Sequence, residues 1–396
     1  MKRKNKILIA TLATLLLITG CGNSSSTKDT TIINTSTNGL EQQKVFQEFW
    51  DIFDRHYPLM HRKGIDWQDV YSTYSPQILS TTTEKQLFNI FSIIMKTIIK
   101  DGHTHLSFND TQQIEFRPNI NENIQKMIEM NTPNTVELIN KSSNNSYLSY
   151  GVLVNDNDIG YILSKQFEPL TENVELEFNA FKTIVDEALL ALRYKKGIII
   201  DIRQNHGGQA LFAYYLAGRF LLDSPIDVQR SRYKITTGDT ESSLSNWVLN
   251  SSDDFNGYPD IRAEGGTVAS TDSNLNQIDA SGAFQYINKV VLLTSKETSS
   301  AAEFFTVAMR SQSQIKSIGN TTFGIFAGSE LFTFVNGGRK WKLNISVHDT
   351  EVIYGNTFQS FEGVGIVPDE KLIPTISEIN LGRDIHIESA MTYINL

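Results

Sequence analysis

The 396-residue chain has one cysteine, Cys21, so no internal disulfide is possible and no cysteine-based metal array can hold the fold. Long apolar runs are also missing. The clearest, Ile7 to Ile18, falls well short of the roughly 20 residues a membrane-spanning helix needs. Positive charge is scarce: Lys and Arg number 35 against 44 Asp and Glu, a net charge of −9. That balance argues against nucleic acid as a partner and against adhesion to an anionic membrane by charge. There is no internal repeat, P-loop, dinucleotide fingerprint or Cys/His ligand array, so neither a metal nor a cofactor is implied. What the chain does have is core-forming material. Hydrophobic residues make up 40% and charged residues 20%, enough for one large core with a helper region.

The first residues stand apart. Lys2, Arg3, Lys4 and Lys6 lead into the apolar run, and this pattern reads as a signal peptide over residues 1–20. The run ends in Ile18-Thr19-Gly20-Cys21, which resembles the lipobox of bacterial lipoproteins. The resemblance implies a lipid on Cys21 that holds the protein to a membrane, in the cell envelope and facing away from the cytoplasm. Loss of residues 1–20 would take four positive charges and lower the net charge from −9 to −13, so the lipid must do the anchoring. Residues 21–40, rich in Ser, Thr and Asn, read as a flexible tether.

From Glu41 the pattern is helical. Val45, Phe46, Phe49, Trp50, Phe53 and Tyr57 recur at helical spacing, Asp66 opens a second helix, and Thr81-Thr82-Thr83-Glu84 caps a third. Residues 41–110 read as a helical N-terminal subdomain. Residues 111–150 form a connecting region with a helix near 119–130 and no recognisable PDZ domain. Residues 151–396 alternate strands and helices, which predicts an α/β core. Its clearest strands are the continuous apolar runs Gly197–Ile202 and Val290–Thr294, both typical of strands covered on two faces. Helices are expected over 171–194, 210–222 and 300–310. Strands are expected over 314–319, 330–335 and 340–347, with a turn at Asn336-Gly337-Gly338.

Ser300 lies between the strand ending at Thr294 and the helix that follows. Free backbone N–H groups and the positive end of the helix dipole would favour an oxyanion there. By itself Thr298-Ser299-Ser300 is equally an ordinary helix cap. The surrounding text adds Thr298-x-Ser300-Ala301-x-Glu303, Gly319-Asn320-Thr321-Thr322-Phe323-Gly324, Asp201-Ile202-Arg203-Gln204-Asn205-His206-Gly207-Gly208 and Glu362-Gly363-Val364-Gly365-Ile366-Val367-Pro368-Asp369. These four segments resemble those of the tail-specific (C-terminal-processing) peptidase family. With Asp101-Gly102-His103-Thr104 and Ile159-Gly160-Tyr161-Ile162, the resemblance runs from about 45 to 375. It implies an α/β fold with a crotonase-like core, Ser300 as nucleophile, and oxyanion-hole N–H groups from Gly208 and Ala301. Glu303 reads as structural, and His206 as a loop residue near the site.

Much of that family activates its serine with a lysine placed where this chain has Ile325, and isoleucine cannot take a proton. A second branch resembles the tricorn protease core and the interphotoreceptor retinoid-binding protein modules. Its peptidases use a histidine from the N-terminal region and a downstream glutamate. That resemblance implies His103 as general base and Glu362 as the carboxylate that orients it, with His105 the competitor on the same strand face. Taken without the family, His103 could instead be a structural histidine at a helix end that Gly102 terminates. The implied function is serine-type hydrolysis of exported peptides or proteins through an acyl-enzyme. The rival is a catalytically inactive binding module of the same fold for a peptide or an apolar ligand. A histidine base would let acylation rise through an apparent pKa of roughly 6.5–7.

Overall fold

Strand Gly197–Asp201 is buried along its whole length near the middle of a seven-stranded sheet, as its unbroken apolar run requires. Its neighbours Ile159–Ser164 and Lys289–Thr294 run parallel to it. Beyond the second of these the sheet continues in parallel through Ile315–Gly319 to Glu370–Lys371. On the other side Leu148–Leu153 and Val136–Leu138 close it antiparallel. The two faces separate by residue parity. Ile198, Ile200, Val290 and Leu292 pack into one core with helices Val174–Leu192, Ala210–Gly218 and Ala301–Arg310. Ile199, Val291 and Leu293 pack into another with helix Ile385–Asn395. Helix Ala210–Gly218 is apolar all round and buried at almost every position, so it is an interior helix.

The structure, a computed structural model, describes residues 39–140, 147–247, 267–269 and 276–396. Cys21, the apolar run before it and most of the expected tether lie outside these residues. Among the described residues no helix is long and apolar enough to cross a membrane.

The N-terminal helices Gly39–His56, Trp67–Tyr74 and Glu84–Ile93 form where the aromatic spacing predicts them. Asp66 caps the second by accepting from the Asp69 N–H, and Thr83 with Gln86 makes a capping box on the third. Their core also takes in Phe334, Trp341, Leu343 and Ile345 from far along the chain. The reason is a four-stranded antiparallel sheet, ordered Ser329–Thr333, Trp341–Ser346, His105–Phe108, Gln112–Glu115. The first turn of that sheet lies at Asn336–Arg339, where Gly337 and Gly338 both hold positive φ. A third, five-stranded antiparallel sheet contains Ile226–Arg232 and Asp349–Tyr354 at its centre.

Candidate functional site

The segment Ser295–Ser300 leaves the carboxyl end of strand Lys289–Thr294 and is tied to the loop after strand Gly197–Asp201. Thr298 Oγ1 donates to the Ile202 carbonyl (2.9 Å), the Ser299 N–H donates to the Asn205 carbonyl (3.1 Å), and Ser295 Oγ donates to the Arg203 carbonyl. Ser300 then turns the chain into helix Ala301–Arg310 with φ 56° and ψ −124°. A non-glycine residue in this region costs on the order of 1–3 kcal/mol, and such strain clusters at functional turns. Ser299 is buried, whereas Ser300 keeps part of its surface open. Of the two serines, only Ser300 faces an approach from outside.

Gly207 and Gly208 pack against this turn for two different reasons. A Cβ on Gly207 would lie 2.7 Å from Ser300 Cβ and 2.9 Å from the Ala301 nitrogen, so only glycine fits. Gly208 forms a single parallel bridge with Phe167, built from Phe167 N–H to the Gly207 carbonyl (2.7 Å) and Gln209 N–H to the Phe167 carbonyl (2.9 Å). In such a bridge the N–H of Gly208 itself points to the opposite side. Neither it nor the Ala301 N–H donates to any atom among the described residues. Two free donors therefore flank the part-exposed hydroxyl. His206, in the same loop, is exposed, with its Nε2 3.9 Å from Glu297.

His103 reaches the region from the N-terminal core. The preceding helix ends in a π turn, Ile94–Ile99, and stops at Lys100 in a left-handed conformation. Gly102 is thus not the terminator. It is glycine because a Cβ there would lie 2.4 Å from the Phe323 ring and 3.0 Å from Ile325. The His103 N–H donates to Asp101 Oδ1 (2.9 Å), its carbonyl accepts from Asn344 Nδ2 (2.7 Å), and its Nδ1 is buried without a hydrogen-bond partner. Burial pushes the imidazole below its ordinary 6.5, only partly offset by Asp101 and the Ala327 backbone. The direction of this shift is opposite to the expectation of an imidazole at 6.5–7. His105 is one step further, in the strand, paired across to Glu115 and Asn344.

Three carboxylates surround the histidine and the serine turn, in unlike environments. Asp101 accepts from Tyr57 OH (2.8 Å) and the His103 N–H, and lies 3.9 Å from Lys63 Nζ. Although burial opposes its charge, Lys63, His103 and Tyr57 hold it below the usual range. Glu362 has one donor, the Phe326 N–H (2.8 Å), and burial with Asp101 nearby pushes it up to about 8. Two buried carboxylates in mutual repulsion resolve by leaving the charge on the better-bonded one. Glu303 accepts from the Ser300 N–H, and burial pushes it up to about 7 against the pull of its donors. No hydrogen bond joins Ser300 to His103, or His103 to Glu362. The carboxylate that acts on the His103 ring is Asp101.

Ile325, at the family's lysine position, is buried and contributes only its N–H, to Glu303 (2.9 Å). A lysine is nevertheless close by. Lys296 Nζ donates to the carbonyls of Thr322 (2.8 Å) and Phe323 (3.1 Å), and burial lowers its pKa. Sequence reasoning passed over both Lys296 and Asp101. The available signals were a lysine four residues before Ser300 in the same loop, and an acid two before His103. Among the described residues no group of three or more His, Asp or Glu is placed to hold a metal ion.

Comparison with known proteins speaks to the family and the fold. The family model for peptidase family S41 matches residues 158–372, more than half of the chain, and that for the tricorn protease C1 domain matches residues 39–96. No curated protein matches. Among solved structures, a putative peptidase from Parabacteroides merdae is 22% identical with a TM-score of 0.66, over 91% of this chain and 97% of that one. Mature CPAF complexed with lactacystin is 10% identical with a TM-score of 0.60, over 90% and 98%. A lipoprotein from Streptococcus agalactiae is 13% identical with a TM-score of 0.50, over 92% and 98%. At these identities the structures speak for the fold, a mixed α/β core with a helical N-terminal region. The S41 family model carries the assignment further: the chain belongs to peptidase family S41.

Proposed function

We propose that the protein is a serine-type peptidase that hydrolyses exported peptides or proteins through an acyl-enzyme. The observation that carries this reading is the strained, part-exposed Ser300 at a helix N-terminus, flanked by the unengaged N–H groups of Gly208 and Ala301. Ser300 Oγ attacks the substrate carbonyl carbon and passes its proton to His103. The two N–H groups hold the oxyanion. Collapse breaks the C–N bond, and the leaving amine takes the proton back from His103. Water then attacks the ester by the same route in reverse. Burial keeps His103 neutral at pH 7 and so ready to accept. Asp101 supplies a charge that stabilises the imidazolium.

Reaction with a fluorophosphonate probe followed by peptide mapping tests this directly. Labelling should fall on Ser300. Ser300→Ala should lose turnover on the order of a millionfold with the fold intact. A protein that takes no label, or takes it on Ser299, would sink the assignment; affinity for an apolar ligand without labelling would favour the binding-module reading. The same proposal places the protein in the cell envelope through a lipid on Cys21. Cys21→Ala should then move the protein into the soluble fraction or leave it uncleaved, and a cleaved variant that stays with membranes would rule the anchor out.

A further inference from the structure

Residues Thr322–Ile325 are gripped from both sides by charged groups outside the proposed triad. Lys296 Nζ takes two of their carbonyls, those of Thr322 and Phe323. Glu303 takes their donors: Oε1 accepts from Thr322 Oγ1 (2.5 Å) and the Gly324 N–H (2.7 Å), and Oε2 accepts from the Ile325 N–H (2.9 Å). The remaining acceptor site on Oε2 holds the Ser300 N–H at 3.2 Å. Thr322 carries the link onward, since its Oγ1 accepts from the Ile366 N–H (2.7 Å) in the Glu362–Asp369 segment. The gripped residues are also the surface on which the histidine segment rests. The Phe323 ring and Ile325 Cγ2 fill the space a side chain on Gly102 would need. The Phe323 N–H in turn donates to the Thr298 carbonyl (2.9 Å), two residues before the serine.

We propose that Lys296 and Glu303 form a two-sided clamp on Thr322–Ile325 that sets the placement of His103 relative to Ser300. Both are positioning residues, and the inference rests on the Ser300–His103 reading above. A cation on carbonyls and an anion on amide N–H groups fix a peptide segment in both directions, because neither can exchange roles with the other. Glutamine at 303 keeps the shape, but its amide nitrogen would face an N–H donor in place of an acceptor.

The test is the kinetics of fluorophosphonate labelling at Ser300 in the full chain, separated into maximal rate and half-saturating concentration, with thermal melts alongside. Glu303→Gln should lower the maximal rate on the order of a hundredfold and leave half-saturation near wild type, as expected for displaced reacting groups. Lys296→Met should lower it roughly tenfold in the same pattern. Thr322→Val should fall with them, and Thr322→Ser, which restores the hydroxyl, should recover the rate. Should Glu303→Gln fail to fold, the Lys296 and Thr322 variants carry the same comparison. Folded Glu303→Gln or Thr322→Val labelling at the wild-type rate would overturn the clamp and leave the Ser300 assignment standing. A wild-type protein unlabelled at Ser300 would overturn the proposed function, and the clamp with it.

Discussion

Two buried charged clusters lie within one fold, and they are finished to different degrees. Around Arg203 every group is matched. The guanidinium bonds Asp201 and Asp384, Tyr161 OH donates to Asp201 (2.7 Å), Thr132 Oγ1 donates to Asp384 (2.6 Å), and Asp384 also caps the final helix. His386 is driven down to about 4, first by burial and then by Arg203, and remains neutral. Around His103 the matching is incomplete. One ring nitrogen has no partner, one carboxylate holds a single N–H, and the nearest cation is shared with two backbone carbonyls. A cluster that satisfies itself suits a scaffold; one with an unpartnered ring nitrogen and a raised carboxyl suits the catalysis proposed above.

The difference can be broken from the unfinished side first. His103→Ala should abolish acylation, a loss on the order of 10⁴-fold with little change in stability, while His105→Ala retains most of the activity. Labelling rates for the two variants decide this, and a near wild-type rate for His103→Ala would mean the cluster is idle. From the finished side the effect should be on folding. Arg203→Met strands Asp201 and Asp384 and should cost about 3–5 kcal/mol of stability by denaturant melt. If the melt does not move, the Arg203 cluster is not scaffold.

Glu362→Gln sharpens the comparison with a smaller effect. Folded Glu362 titrates near 8 and the unfolded side chain near its ordinary 4.5. Between those values the unfolded chain releases a proton that the folded chain keeps, so this carboxyl costs stability progressively as pH rises from 4.5 to 8. Glutamine has no such cost and can still accept the Phe326 N–H. Tm for the variant should match wild type near pH 4.5 and exceed it by roughly 5 °C at pH 8. Loss of any rise in acylation through pH 8 in the same variant would tie that ionisation to the reaction.

The features readable in the sequence were those whose cause is local. Caps at Asp66 and Thr83, the two-face strands around Ile199 and Val291, and the glycine turn at 337–338 each follow from a few adjacent residues. Strands Gln112–Glu115 and Asp349–Tyr354 were not legible. They are short or largely polar and owe their state to distant partners, such as Arg232 opposite Asp349. The site followed the same rule. Ser300 and its glycines could be placed from motif and turn, but the choice between Asp101 and Glu362 as the ionised acid turns on Tyr57 and Lys63. Their approach is a tertiary fact.

Strand His105–Phe108 pairs with Trp341–Ser346, more than two hundred residues later. On the proposed assignment, this gives the enzyme a timetable. During synthesis the histidine segment emerges first, the serine much later, and the strand that seats the histidine last of the three. A chain still emerging or stalled en route has the nucleophile and the base on separate, undocked pieces. Hydrolytic power would then arrive only after strand Trp341–Ser346 has been made and has docked on the histidine segment.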